Sequence, residues 1–75
     1  MSQTLADYVA TRLRIEMARS DVAPPELARR LDEQSLWVVR RMRGRVPITL
    51  MDLERIATAL DVPVASFLPA AERVA

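Results

Sequence analysis

The chain has no cysteine, no histidine and a single glycine among its 75 residues. Without cysteine there is no disulfide and no thiolate metal ligand, and without histidine the commonest general base and metal ligand at neutral pH is missing. The fold must therefore stand on hydrophobic burial, and the usual catalytic and zinc constellations are excluded. No apolar run approaches the roughly 20 residues that cross a bilayer, and the N-terminus has no basic segment leading into an apolar one. These absences predict a cytoplasmic protein with no membrane partner. Lysine is lacking too, since all eleven basic residues are arginine. The formal net charge is only +1, yet Arg40, Arg41, Arg43 and Arg45 fall within six positions, so positive charge is concentrated locally.

A chain of this length makes one small domain, spanning 1–75 with a core over about 4–68 and a short C-terminal tail. Its pattern is helical throughout. Leu5, Val9, Leu13 and Met17 recur at intervals of four, which marks one buried stripe, and Thr4 followed by Asp7 reads as an acidic capping box. Arg12 and Glu16 lie beside that stripe at pairing distance. A second helix starts in "APPELARRL", where Pro24 and Pro25 suit a first turn and Leu27, Ala28 and Leu31 form the apolar side. After the brief polar "DEQ" comes "SLWVVRRMRG", which Gly44 ends by taking a positive φ. In "TLMDLERIATAL", Thr49 caps a helix whose Leu50, Leu53, Ile56, Ala57 and Leu60 share one face. A fifth short helix, roughly 64–68, brings Phe67 and Leu68 to close the core. No alternation bounded by turn residues suggests a strand.

The first two of these features that matter for function are adjacent. Eight helical residues, a three-residue turn and about nine more make the spacing of a helix-turn-helix unit. The segments "ELARRL", "VVRRMRGR", "LERIATALDV" and "FL", spread over residues 12–68, resemble the lambda-type phage repressor and Cro family of helix-turn-helix proteins, the XRE family. The resemblance implies an all-α, compact five-helix lambda-repressor-like domain. Within it Ala28 permits close approach of the third helix, and Val38 and Met42 anchor that helix. It also implies sequence-specific binding of double-stranded DNA through the major groove, as a bacterial or phage transcriptional repressor and often as a homodimer. Several positions depart from the family pattern. Asp32 stands where glycine is common, Glu33 where the turn is often apolar, and Ala23 where a polar cap is usual. Pro24 replaces a glutamine that approaches phosphate in many members, and Pro25 lacks an amide as well, so that phosphate clamp does not carry over.

With Val38 and Met42 inward, Leu36, Arg40 and Arg43 lie opposite, flanked by Ser35 and Val39. Those five are the candidate base readers. An arginine can set its fork of donors on guanine O6 and N7, serine offers a short donor or acceptor, and an aliphatic group can meet the thymine methyl. Arg45, Arg41 and Arg12 are the candidate phosphate contacts; Arg41 can instead run its stem over the core, and Arg12 can pair with Glu16. Trp37 either covers the joint between the third and fourth helices or touches the DNA backbone. Tyr8 is either an ordinary helix residue or part of a partner surface. Val64, Leu68 and Val74 are available to a dimer seam, although the first two can equally close the core. The acidic residues form no catalytic set, so neither enzymatic activity nor a cofactor or metal is expected. The competing reading is an antitoxin-like or other protein-interaction module with secondary or no DNA binding.

Overall fold

The computed structural model describes residues 3–70. It contains four α-helices, α1 Leu5–Arg19, α2 Pro24–Leu31, α3 Ser35–Met42 and α4 Leu50–Leu60, followed by a four-residue turn of 3-10 helix, Val64–Phe67. Among the described residues there is no strand. The expected fifth helix is thus one tight turn. Leu68 precedes Pro69 and is pushed into extended geometry (φ −112°, ψ 150°), which stops the segment at Phe67.

The helices start in two ways and end in one. Capping boxes open α1 and α4: Thr4 Oγ1 accepts from the Asp7 amide at 3.1 Å and Thr49 Oγ1 from the Asp52 amide at 2.9 Å, with each aspartate returning the contact to the threonine amide. Pro24 and Pro25 open α2 after an extended Ala23 that makes no side-chain cap. Every α-helix then terminates through a left-handed residue, Asp21 (φ 57°), Asp32 (57°), Gly44 (72°) or Asp61 (58°). The amide that follows reaches back across the last turn, from Val22 to the Met17 carbonyl, Glu33 to Ala28, Arg45 to Arg40 and Val62 to Ala57, at 2.9–3.0 Å. Aspartate tolerates this conformation better than most side-chain-bearing residues, which is how a chain with one glycine closes four helices alike.

Burial follows the stripes except at their first residues. Leu13, Leu27, Val38, Ile56 and Phe67 are the largest fully buried side chains, joined by Val9, Met17, Val22, Ala28, Leu31, Leu53, Ala57 and Leu60. Leu5 and Leu50, expected to begin the α1 and α4 stripes, are 59% and 81% exposed. Each is the first residue of its helix and overhangs the core by a turn. Leu68 and Val64 are also exposed, so Phe67 alone closes this end. Val74 lies outside the described residues.

Arginines bind the ends of neighbouring helices. Arg55 donates to the Leu31 carbonyl at 2.6 Å, Arg30 to the Ala59 carbonyl at 2.9 Å, Arg14 to the Met42 carbonyl and Arg12 to the Ser66 carbonyl at 3.0 Å. Carbonyls in the last turn have no partner within their own helix and carry the negative end of its dipole, so a guanidinium from an adjacent helix satisfies both. Glu16, 4% exposed, accepts from Arg12 at 2.6 Å and Arg19 at 3.3 Å, linking α1 through Arg12 to the 3-10 turn.

Candidate nucleic-acid interface

Residues 32–34 join α2 to α3, and the left-handed Asp32 provides the change of direction. Val38, fully buried, pins α3 to the core, with Trp37 and Met42 packed against the same cluster. At about 100° per residue, Leu36, Arg40 and Arg43 fall on the far side of the helix from Val38. All three are exposed, as is Ser35, while Val39 is half-buried on the flank. The structure therefore places the five expected base readers on one continuous outward strip. Arg45 follows it in the loop after Gly44, also exposed.

The opposite flank of α3 is closed. Arg41 stacks on Trp37 with its guanidinium carbon 3.8 Å from the ring centroid, donates to the Trp37 carbonyl at 3.2 Å and contacts Asp52 at 3.4 Å. Arg55 stands 5.6 Å from the same ring on α4. Trp37 is thus held between two cations at the joint of α3 and α4, the packing alternative expected for it. Asp52 closes the α4 cap and fastens Arg41 with the same carboxylate oxygen. Arg41 and Arg12, expected at phosphate, are instead engaged by internal partners, Arg41 here and Arg12 on Glu16 and Ser66.

Comparing all the arginines isolates the exposed strip. Arg12, Arg14, Arg19, Arg29, Arg30, Arg41 and Arg55 each bond to a carboxylate or a carbonyl. Among the described residues, only Arg40, Arg43 and Arg45 have no side-chain partner, and they lie together at the C-terminal end of α3. Glu26, which holds Arg29 and Arg30, has its carboxyl below the usual range because first Arg29 and then Arg30 donate to it. Beside the free arginines runs an open groove lined by Leu36, Trp37, Arg40, Arg41 and Val46, with residues 32–34 at one end. Asp52 and Arg14 were not legible as parts of this region. Their partners, Arg41 and the Met42 carbonyl, are 11 and 28 positions away, whereas the four-residue spacing of Trp37 and Arg41 did place those two on one flank.

Among the described residues no cluster of three or more metal-ligating side chains occurs, and no helix is long and apolar enough to cross a membrane. The α2–turn–α3 unit, braced by α1 and α4, defines a helix-turn-helix fold. The chain is similar to the clp gene regulator ClgR from C. glutamicum, with a TM-score of 0.83 and 24% identity over 88% of this chain and 86% of that one. It is similar also to a hypothetical transcription factor, NHTF, from Neisseria, with a TM-score of 0.81 and 28% identity over 89% of this chain and 77% of the other. These structural neighbours are transcription regulators. No family model matches the chain, and no curated protein matches it significantly in sequence.

Proposed function

We propose that this chain is a single helix-turn-helix domain that binds double-stranded DNA sequence-specifically and acts in transcription regulation, as a repressor of the bacterial or phage type. The observation that carries this reading is the set of three unpartnered arginines, Arg40, Arg43 and Arg45, on the outward end of α3 in a protein whose other described arginines are bonded internally. Inserted in a major groove, α3 presents Ser35, Leu36, Val39, Arg40 and Arg43 to base edges, while Arg45 meets the backbone. The similarity to structures titled as transcription regulators supports the same role. A symmetric dimer of the domain reads two half-sites about 34 Å apart.

The test begins with enrichment of a preferred duplex from a random pool, then compares parent and variants on that duplex and on matched base changes. Arg40→Ala and Arg43→Ala each lose roughly 1–3 kcal/mol of discrimination, whereas Arg45→Ala lowers affinity on all sequences and flattens the salt slope by roughly 0.9. If folded Arg40→Ala and Arg43→Ala keep the parent's affinity and discrimination, α3 is not a base reader. The exposed Leu50 and Met51, 81% and 70%, favour the protein-interaction module as the second reading. Chemical shifts in α3 that respond to a protein partner and not to DNA would establish it.

A further inference from the structure

Phosphate can be held by backbone amides at a helix start or by cations, and in this chain both resources are distributed unevenly about α3. The starts of α1 and α4 are closed by capping boxes whose acidic members, Asp7 and Asp52, occupy the first turn. The start of α2 has Pro24 and Pro25, which carry no amide to donate, and Glu26 adds a carboxylate just behind them. At the start of α3 no side chain caps the helix, but Asp32 and Glu33 precede it in the turn. The cations on this side are engaged: Arg29 and Arg30 on Glu26, and Arg55 on Glu33 and the Leu31 carbonyl. At the other end of α3 the situation reverses. From residue 35 to residue 51 the sequence contains no acidic side chain, and that run holds Arg40, Arg43 and Arg45. Arg14 reaches the same end by bonding the Met42 carbonyl.

The geometry points to a one-sided grip: the domain takes hold of DNA phosphates only at the C-terminal end of α3 and the loop after it, leaving the phosphates at the turn end without a charged contact. The inference rests on the DNA-binding reading above and specifies how that surface is used. Three guanidinium groups neutralise about three phosphates, so log affinity falls with log salt at a slope near −2.7 for each bound copy. Raising salt from 50 to 200 mM then weakens binding about 40-fold per copy, whereas six contacts would weaken it by about a thousandfold or more.

The test uses the full chain on its enriched duplex, with the number of bound copies measured by sedimentation. Each phosphate on both strands is replaced in turn by a neutral methylphosphonate. The expected result is one cluster of sensitive phosphates per bound copy, each losing its sensitivity in Arg43→Ala, Arg45→Ala or Arg14→Ala, together with a slope near −2.7 per copy. A second cluster beyond the base-specific positions, insensitive to those variants, overturns the one-sided grip while leaving sequence-specific binding intact. A slope steeper than about −4 per copy does the same. Failure to enrich any duplex removes the DNA-binding reading, and the grip with it. Since Arg43, Arg45 and Arg14 are exposed, circular dichroism and denaturation can establish that the variants remain folded.

Discussion

Arg40 and Arg41 are consecutive residues on opposite flanks of α3, and the two flanks put the same side chain to different use. On the Trp37 flank, Arg41 is stacked, bonded to a carbonyl and set against Asp52, at 15% side-chain exposure. On the other flank Arg40 is exposed and has no bonding partner among the described residues. What separates them is a rotation of about 100° relative to α4, which supplies Asp52 and Arg55 to one flank and nothing to the other. A basic cluster in a sequence is therefore not one electrostatic object. Half of this one fastens the recognition helix to the body of the domain, and half remains for something outside it.

The sharpest way to break that comparison is to disturb what both flanks stand on. Ile56, fully buried, supports α3 from α4, and Ile56→Ala should lose about 2–5 kcal/mol in chemical denaturation. A loss below 0.5 kcal/mol would place Ile56 outside the well-packed core. Next in size is the direct contrast between neighbours. Arg41→Ala removes a stacked cation and an ion pair and should cost about 1–2 kcal/mol of stability, while Arg40→Ala should remain within about 0.5 kcal/mol. Equal stability effects at the two positions would erase the distinction between the flanks. Smaller still is the effect at the turn. Asp32→Gly relieves a left-handed side-chain-bearing residue and should gain up to about 1 kcal/mol with DNA discrimination unchanged. A destabilised Asp32→Gly protein would mean that the aspartate side chain contributes more than its backbone conformation costs.

The smallest effect concerns Glu26, which holds Arg29 and Arg30 much as Asp52 holds Arg41. Its carboxyl lies below the ordinary value, so its contribution is present above the usual carboxylate range and is lost as pH falls through its folded value. Glu26→Gln should therefore lower the denaturation midpoint slightly near neutrality, and the two proteins should converge in acid. Curves that stay parallel down to low pH would show that these contacts contribute nothing to stability.

Local signals were legible in the sequence and cross-helix ones were not. Thr4 with Asp7, Pro24 with Pro25, Gly44, and the inward Val38 announced the helix ends and the outward strip of α3, because each depends on residues within one or two turns. The first members of the apolar stripes, Leu5 and Leu50, misled because periodicity fixes a direction and not whether the core extends that far. The fate of Arg12 and Arg41 depended on partners in other elements, the Ser66 carbonyl and Asp52, which only the fold brings close. Burial of Glu16 was hidden for the same reason, since its spacing to Arg12 announces a pair but not the element that covers it.

Pairing most of the arginines internally has a kinetic consequence. A protein of formal charge +1 feels little net pull toward a polyanion, but its unpaired charge lies at one end of one helix, so a nearby duplex exerts a torque on it. The molecule turns before it is drawn in, and the end of α3 that carries Arg40, Arg43 and Arg45 leads the approach. Encounters that begin with any other face are left with weak attraction and part quickly, which favours hopping between sites over prolonged residence on unrelated DNA.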